Sequence, residues 1–233
     1  MVMYIYNGFS QTPTRNFTAA GIDFFIPNIK DNDERANIAL EAFKKSFKID
    51  DETIEQFYSI LHDMMENTNN DLNILHLYYA LKSKRIYDIR KTINEEAAIR
   101  YFIDNILTFD NNMNPGVKTE FSDMLFINSG IKVALDPHTA LEFKEKSGKG
   151  TQGWTVKAKL VDEDYSGYMH LSMQNLWWDE KEGTVYCGDK LTQGVVYKTL
   201  TTDAVELSEA DYEERMKNSQ RGADGFGSSD VKH

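Results

Sequence analysis

Asp162, Glu163, Asp164 and Tyr165 put three carboxylates and a phenol in four consecutive positions, closed by Ser166 and Gly167. A positioned carboxylate can take a proton from an attacking water, and a phenol offers a flat face with a polar tip. The alternation of Trp154, Val156 and Ala158 predicts a strand running into this stretch, and that of Met169, Leu171 and Met173 a strand running out. The acidic run therefore belongs at a sheet rim, where it can reach a ligand. Asp and Gly also make ordinary polar turns, so the run alone leaves both readings open.

Other stretches add chemistry. Lys146-Ser147-Gly148-Lys149-Gly150-Thr151-Gln152-Gly153 is a glycine-rich loop whose amides, hydroxyl and lysines suit a phosphate. Asp23 is a carboxylate just after Gly21 in an apolar run, either a site residue or a side chain satisfying nearby amides. The tail from Arg221 to Asp230 holds three glycines, Phe226, Ser228 and Ser229, too little to build a core. Such an arm can fold over a ligand, guanidinium on phosphate and ring on base. Glu52, Glu55, Glu95 and Glu96 lack a Glu-x-x-Asp partner turn and read as solvated helix faces, not a metal site. Lys82, Lys84, Arg85, Arg90 and Lys91 form a basic run that reads as a solvated face or a docking patch. His62 and His76 have no ligand spacing, and nothing places His170 beside Ser147 for a Ser-His-Asp arrangement with Asp162.

Composition narrows the function. A formal net charge of −11 over 233 residues opposes generic nucleic-acid binding, and an anionic ligand then needs local cations, amides or a metal. Cys187 stands alone, which leaves no disulfide framework and fits a reducing, cytoplasmic setting. No apolar run approaches membrane-spanning length, and the first residues lack the form of a signal peptide.

The positioning elements change type along the chain. Residues 1–29 read as β-structure, with strands at Val2–Tyr6 and Thr18–Pro27. From 31 to 110 the period becomes helical, in stripes through Ala36/Leu40/Phe43/Phe47, Ile54/Phe57/Leu61/Met64, Ile74/Leu77/Tyr78/Leu81 and Ile99/Phe102/Ile103/Ile106. Asp31 or Asn32, Asp50 or Asp51, and the Thr92-to-Glu95 capping box are the expected starts of the first, second and last helices. Such helices can pack as a bundle of their own. After the loop at Asn111–Gly116, β-structure resumes from about 120, and Leu207–Met216 reads as a short helix. The expected architecture is a mainly β core of residues 1–29 and 120–233 with a small α-helical insertion at 31–110, and residues 221–233 as a flexible arm.

With the tail in view, the chain resembles the trimeric, all-β dUTPase (dUTP pyrophosphatase) family. Ala20-Gly21-Ile22-Asp23 is similar to that family's first motif, Lys146-Ser147-Gly148 to the second and Val161-Asp162-Glu163-Asp164-Tyr165-Ser166-Gly167 to the third. Gly188-Asp189-Lys190-Leu191-Thr192-Gln193 is similar to the fourth motif, and Arg221 to Ser229 to the fifth. The resemblance covers residues 1–29 and about 120–233, and implies a β-barrel or jelly-roll core in a homotrimer with shared active sites. The helical segment has no counterpart in the usual member and is a candidate surface for a protein partner.

The resemblance also implies roles. Asp162 would be the general base in Mg²⁺-assisted, in-line water attack on dUTP, giving dUMP and pyrophosphate. Tyr165 would lie under the deoxyribose. Lys146, Ser147, Gly148 and Gln193 would hold phosphates, and Asp23 would anchor waters around Mg²⁺. Arg221, Gly227 and Ser228 would clamp the terminal phosphate while Phe226 stacks on the base. Four positions depart from the pattern: Lys146 and Lys190 where the family carries Arg, Lys159 where it carries a small residue, and Asp230 for the last Gly of the fifth motif. Lysine keeps the charge but loses the guanidinium fork. The competing expectations are a dCTP deaminase of the same architecture, which lacks the Asp-x-Asp-Tyr run, and a nucleotide-gated regulatory protein acting through the helices.

Overall fold

The computed structural model describes residues 3–16, 18–65, 71–82, 94–177, 183–200 and 205–219. It divides into two compact units, residues 1–199 and 200–233. In the first, the described residues form twelve strands that pair antiparallel in four sheets. β1 (Met3–Asn7) pairs with β6 (Ile131–Leu135). β2 (Ile22–Phe25), β12 (Lys190–Lys198), β7 (Thr139–Glu145) and β9 (Leu160–Val161) form a four-stranded sheet in that order. β10 (His170–Asn175) lies between β5 (Met124–Asn128) and β8 (Trp154–Lys157). β4 (Pro115–Thr119) lies between β11 (Gly183–Tyr186) and β3 (Leu107–Phe109).

β3 and β4 occupy a stretch read from sequence as the end of the insertion and its loop. Pro115 and Gly116 sit inside β4, where a Cβ on Gly116 would come within 2.5 Å of the Val185 carbonyl oxygen. That glycine works as a close-approach residue in a strand instead of a turn former.

The four helical stripes fold as α1 (Ala36–Phe47), α2 (Asp51–Met64), α3 (Asp71–Leu81) and α4 (Glu95–Asn105). Asp50 caps α2, accepting from the Thr53 amide at 2.8 Å. α4 is capped by Asn94, which accepts from the Ala97 amide at 2.8 Å, two residues beyond the expected box start at Thr92, which lies outside the described residues. α1 begins at Ala36, later than Asp31 or Asn32. The Asp31 carboxylate instead accepts from the Leu72 amide at 2.9 Å and serves the first turn of α3.

α3 settles how the helices relate to the sheets. Residues 72–81 are buried on every side, and the helix packs on β5 and β4. A helix apolar all round belongs inside a core. One hydrophobic cluster therefore joins Phe43, Phe57, Leu75 and Phe102 of the helices to Val117, Leu125, Met173 and Leu191 of the strands. The expected self-standing bundle is replaced by a shared core. Asparagines tie its margins together: Asn73 on α3 donates to Asn28 at 3.0 Å, and Asn28 donates to Asn114 at 3.0 Å. In the second unit, α6 (Glu209–Met216) is capped by Ser208, as the acidic stretch predicts. The short α5 (Ser147–Gly150) replaces part of the expected glycine-rich loop.

Candidate active site

Four motif residues, Asp23, Lys146, Lys190 and Gln193, converge at one end of the four-stranded sheet. Asp23 lies in β2, register-paired with Gln193 of β12, which is itself paired with Lys144 of β7. Lys146 leaves the end of β7 and reaches Asp23 Oδ1 at 2.5 Å, and Lys190 reaches Oδ2 at 3.2 Å. Asp23 is 6% exposed. Burial alone would raise its carboxyl, but the hydrogen bonds from Lys146 and Lys190 outweigh that and hold it below the ordinary aspartate value. Gln193 donates from Nε2 to the Glu145 carbonyl at 3.0 Å, and its side chain fills the space where a Cβ on Gly21 would sit. Ser147 and Gly148 are exposed at the start of α5, with open space beside Gly148 where a ligand can approach the backbone. Lys149 is engaged by Asp189 at 3.0 Å, a pairing with no signal in the sequence spacing.

The third-motif stretch forms a second locus. Asp162 follows β9, is exposed, and its carboxylate has neither hydrogen-bond nor ion-pair partner among the described residues. Local bonds shape the turn: the Tyr165 amide donates to the Asp162 carbonyl at 3.2 Å, and the Tyr165 hydroxyl to the Tyr168 carbonyl at 2.9 Å. The Tyr165 ring lies over Gly167, where a Cβ would meet its oxygen at 2.6 Å, and remains 43% exposed. Glu163 is structural, since its carboxylate accepts from the amides of His138 and Thr139 and ties the turn to the start of β7.

The ladder separates these loci within one protomer. Asp23 is level with Lys144 on β7, whereas Val161 is level with Leu141, so Asp162 falls opposite Ala140. Three strand spacings across and four residues along put Asp162 and Asp23 roughly 20 Å apart. Glu145 straps the intervening region. Its Oε1 accepts from Thr155 Oγ1 at 3.0 Å, the Val156 amide at 2.9 Å and Lys159 Nζ at 3.2 Å. Against a burial cost that raises it, these bonds bring its carboxyl down to about 2. Sequence reasoning missed Glu145. Its position beside Lys146 was the available signal, but its partners come from β8 and the link that follows it. Lys159 is drawn to this carboxylate.

Among the described residues no group of three or more His, Cys, Asp and Glu side chains is arranged to hold a metal ion. A single carboxylate still fits Mg²⁺, which keeps waters and takes further ligands from substrate phosphates. Asp23, the carboxylate expected from the resemblance to anchor that ion through water, has its charge shared with two ammonium groups. Arg221, Phe226, Gly227 and Ser228 lie outside the described residues, as do Lys84, Arg85, Arg90 and Lys91 of the basic run. Lys82 of that run is bound to Glu95 at 2.5 Å. His76 is buried against Phe43, its rings 4.5 Å apart, and burial lowers it to about 3.

No protein-family model matches the chain. A deoxyuridine 5'-triphosphate nucleotidohydrolase of Helicobacter pylori (strain Shi470) is 31% identical over 108 residues, 45% of this chain and 69% of the relative. One from Helicobacter pylori (strain ATCC 700392 / 26695) is 27% identical over 135 residues, 57% of this chain and 88% of the relative. Among solved structures, a mutant dUTPase of Staphylococcus bacteriophage 80alpha with dUpNHpp is 12% identical and shares the fold over 98% of each chain, with a TM-score of 0.52.

Proposed function

The chain belongs to the dUTPase family, and we propose that it hydrolyses dUTP to dUMP and pyrophosphate with Asp162 as general base. The observation that carries the assignment of the base is the exposed Asp162 carboxylate, unpartnered among the described residues, three residues before an exposed tyrosine ring. Asp162 takes a proton from the water that attacks in line, while the Tyr165 face supports the sugar. Lys146 and Lys190 spread the charge of the phosphates, with Ser147, Gly148 and the free N–H of Gln193 as further donors. Their ammonium groups rest on Asp23 and are thereby aimed before substrate arrives. Asp23 would hold Mg²⁺ through water. The ion would supply charge neutralisation that a protein of net charge −11 needs against a tetra-anion. By family resemblance, Arg221, Gly227 and Ser228 would contact the terminal phosphate and Phe226 the base. The lone Cys187, buried as a free thiol, supports a cytoplasmic setting. No described helix is long and apolar enough to cross a membrane.

The separation of roughly 20 Å between Asp162 and Asp23 supports a site shared between protomers of a homotrimer, because one triphosphate cannot meet both within a chain. Mixing separately inactive Asp162→Asn and Asp23→Ala chains after reassembly tests both points. Random assortment should restore roughly a quarter of wild-type pyrophosphate release from dUTP. No recovery in mixed oligomers would refute shared sites. Ammonia release from dCTP, without pyrophosphate from dUTP, would overturn the hydrolase reading.

A further inference from the structure

The helical insertion reaches the third-motif locus. A cleft of about 840 Å³ is walled on one side by Ile38, Lys45 and Ser46 of α1 and on the other by Tyr165, Tyr168 and Lys132. That volume lies in the range of small-molecule sites. The α1 wall is fixed in place. Ser46 Oγ lies 3.2 Å from His170 Nε2 and accepts from Asn128 Nδ2 at 3.1 Å, while His170 stacks on Phe126 with ring centroids 4.5 Å apart. α1 is thus bolted to β10, which begins three residues after Gly167.

The charges in this cleft are lopsided. Glu41, on the same wall, is met by Lys44 at 2.6 Å. Lys45 is exposed and makes no ion pair among the described residues. Lys132 holds its ammonium 4.8 Å from the Tyr168 ring centroid, likewise with no carboxylate among the described residues. Two ammonium groups with no carboxylate partner among the described residues, in a cleft shared with the exposed Tyr165 ring and in a protein of net charge −11, mark a place for an anion attached to an aromatic or sugar body.

We propose that α1 forms a wall of the nucleotide cleft and that Lys45 and Lys132, which lie outside the five motifs, contact the charged portion of the bound nucleotide. This rests on the dUTP reading of the third-motif locus. Lys45 of α1 and Lys132 of β6 then act as positioning residues of the same site, on binding and not on the chemical step.

The test is equilibrium binding of dUpNHpp and of uncharged deoxyuridine to the full chain, with turnover of dUTP measured in parallel. Lys45→Gln should weaken dUpNHpp about tenfold and raise KM similarly, with kcat changed less than about twofold. Lys132→Gln should do the same. Deoxyuridine binding should be unchanged in both variants, and Lys198→Gln, an exposed lysine elsewhere, should leave every quantity at wild type. Wild-type dUpNHpp affinity in the Lys45 and Lys132 variants, or equal losses for dUpNHpp and deoxyuridine, would overturn the inference while leaving the dUTP reading intact. A wild-type chain that neither binds dUpNHpp nor releases pyrophosphate from dUTP would overturn both.

Discussion

The Asp23 locus and the Asp162 locus stand at opposite edges of one four-stranded sheet and are built on opposite principles. At Asp23 a buried carboxylate is held by two lysines and its ionisation is displaced. At Asp162 a carboxylate stands in solvent with no side-chain partner among the described residues. The first arrangement fixes charge in advance, which suits the phosphate-binding role proposed for that edge. The second leaves an acceptor free to meet a water. The paired edge thus carries stability together with its proposed phosphate role, whereas a substitution at the open edge should move reactivity alone.

The largest effect is expected at the open edge. Asp162→Asn should lower kcat for dUTP by roughly 10²–10⁴-fold with an unchanged melting temperature. A variant with normal turnover would remove Asp162 as the base. At the paired edge the balance reverses. Asp23→Ala leaves Lys146 and Lys190 without their carboxylate and should destabilise the fold by about 2–3 kcal/mol in chemical denaturation, below the cost for a fully buried pair because Lys190 is 41% exposed. A stability change within about 0.5 kcal/mol would show the triad to be solvated and would dissolve the contrast between the edges.

The strap between them should respond to acid. Glu145 has a folded-state value of about 2, well under the unfolded one of about 4.3. Its contribution is therefore complete above the unfolded value and is lost as pH falls from about 4 towards 2. Wild-type stability should drop through that window more steeply than that of Glu145→Gln, as followed by urea unfolding at each pH. Parallel curves would show that Glu145 carries no proton-linked stability. The smallest effect belongs to Lys159→Gly. Its pair with Glu145 is partly exposed, so about 0.5–1 kcal/mol is the most that should be lost. Uracil preference over cytosine should stay the same, because the ammonium is turned towards Glu145. A change in base preference would place Lys159 in the base pocket.

The sequence by itself determined the period-two and period-3.6 segments, the cap at Asp50, and the strand junction carrying Asp162 and Tyr165. Each follows from spacing or a bond spanning a few residues, which local sequence encodes. It did not disclose that α3 is a core helix of the whole first unit, since an apolar stripe names a buried face but not what covers it. Nor did it pair Asp23 with Lys146 and Lys190, or Lys159 with Glu145, across separations of 123, 167 and 14 residues. The four-residue offset on β7 that sets Asp162 and Asp23 apart is likewise a product of register. Strand order, ladder register and the seating of α1 against β10 bring distant charges together or hold them apart, and those are decided only when the sheets and helices close on one core.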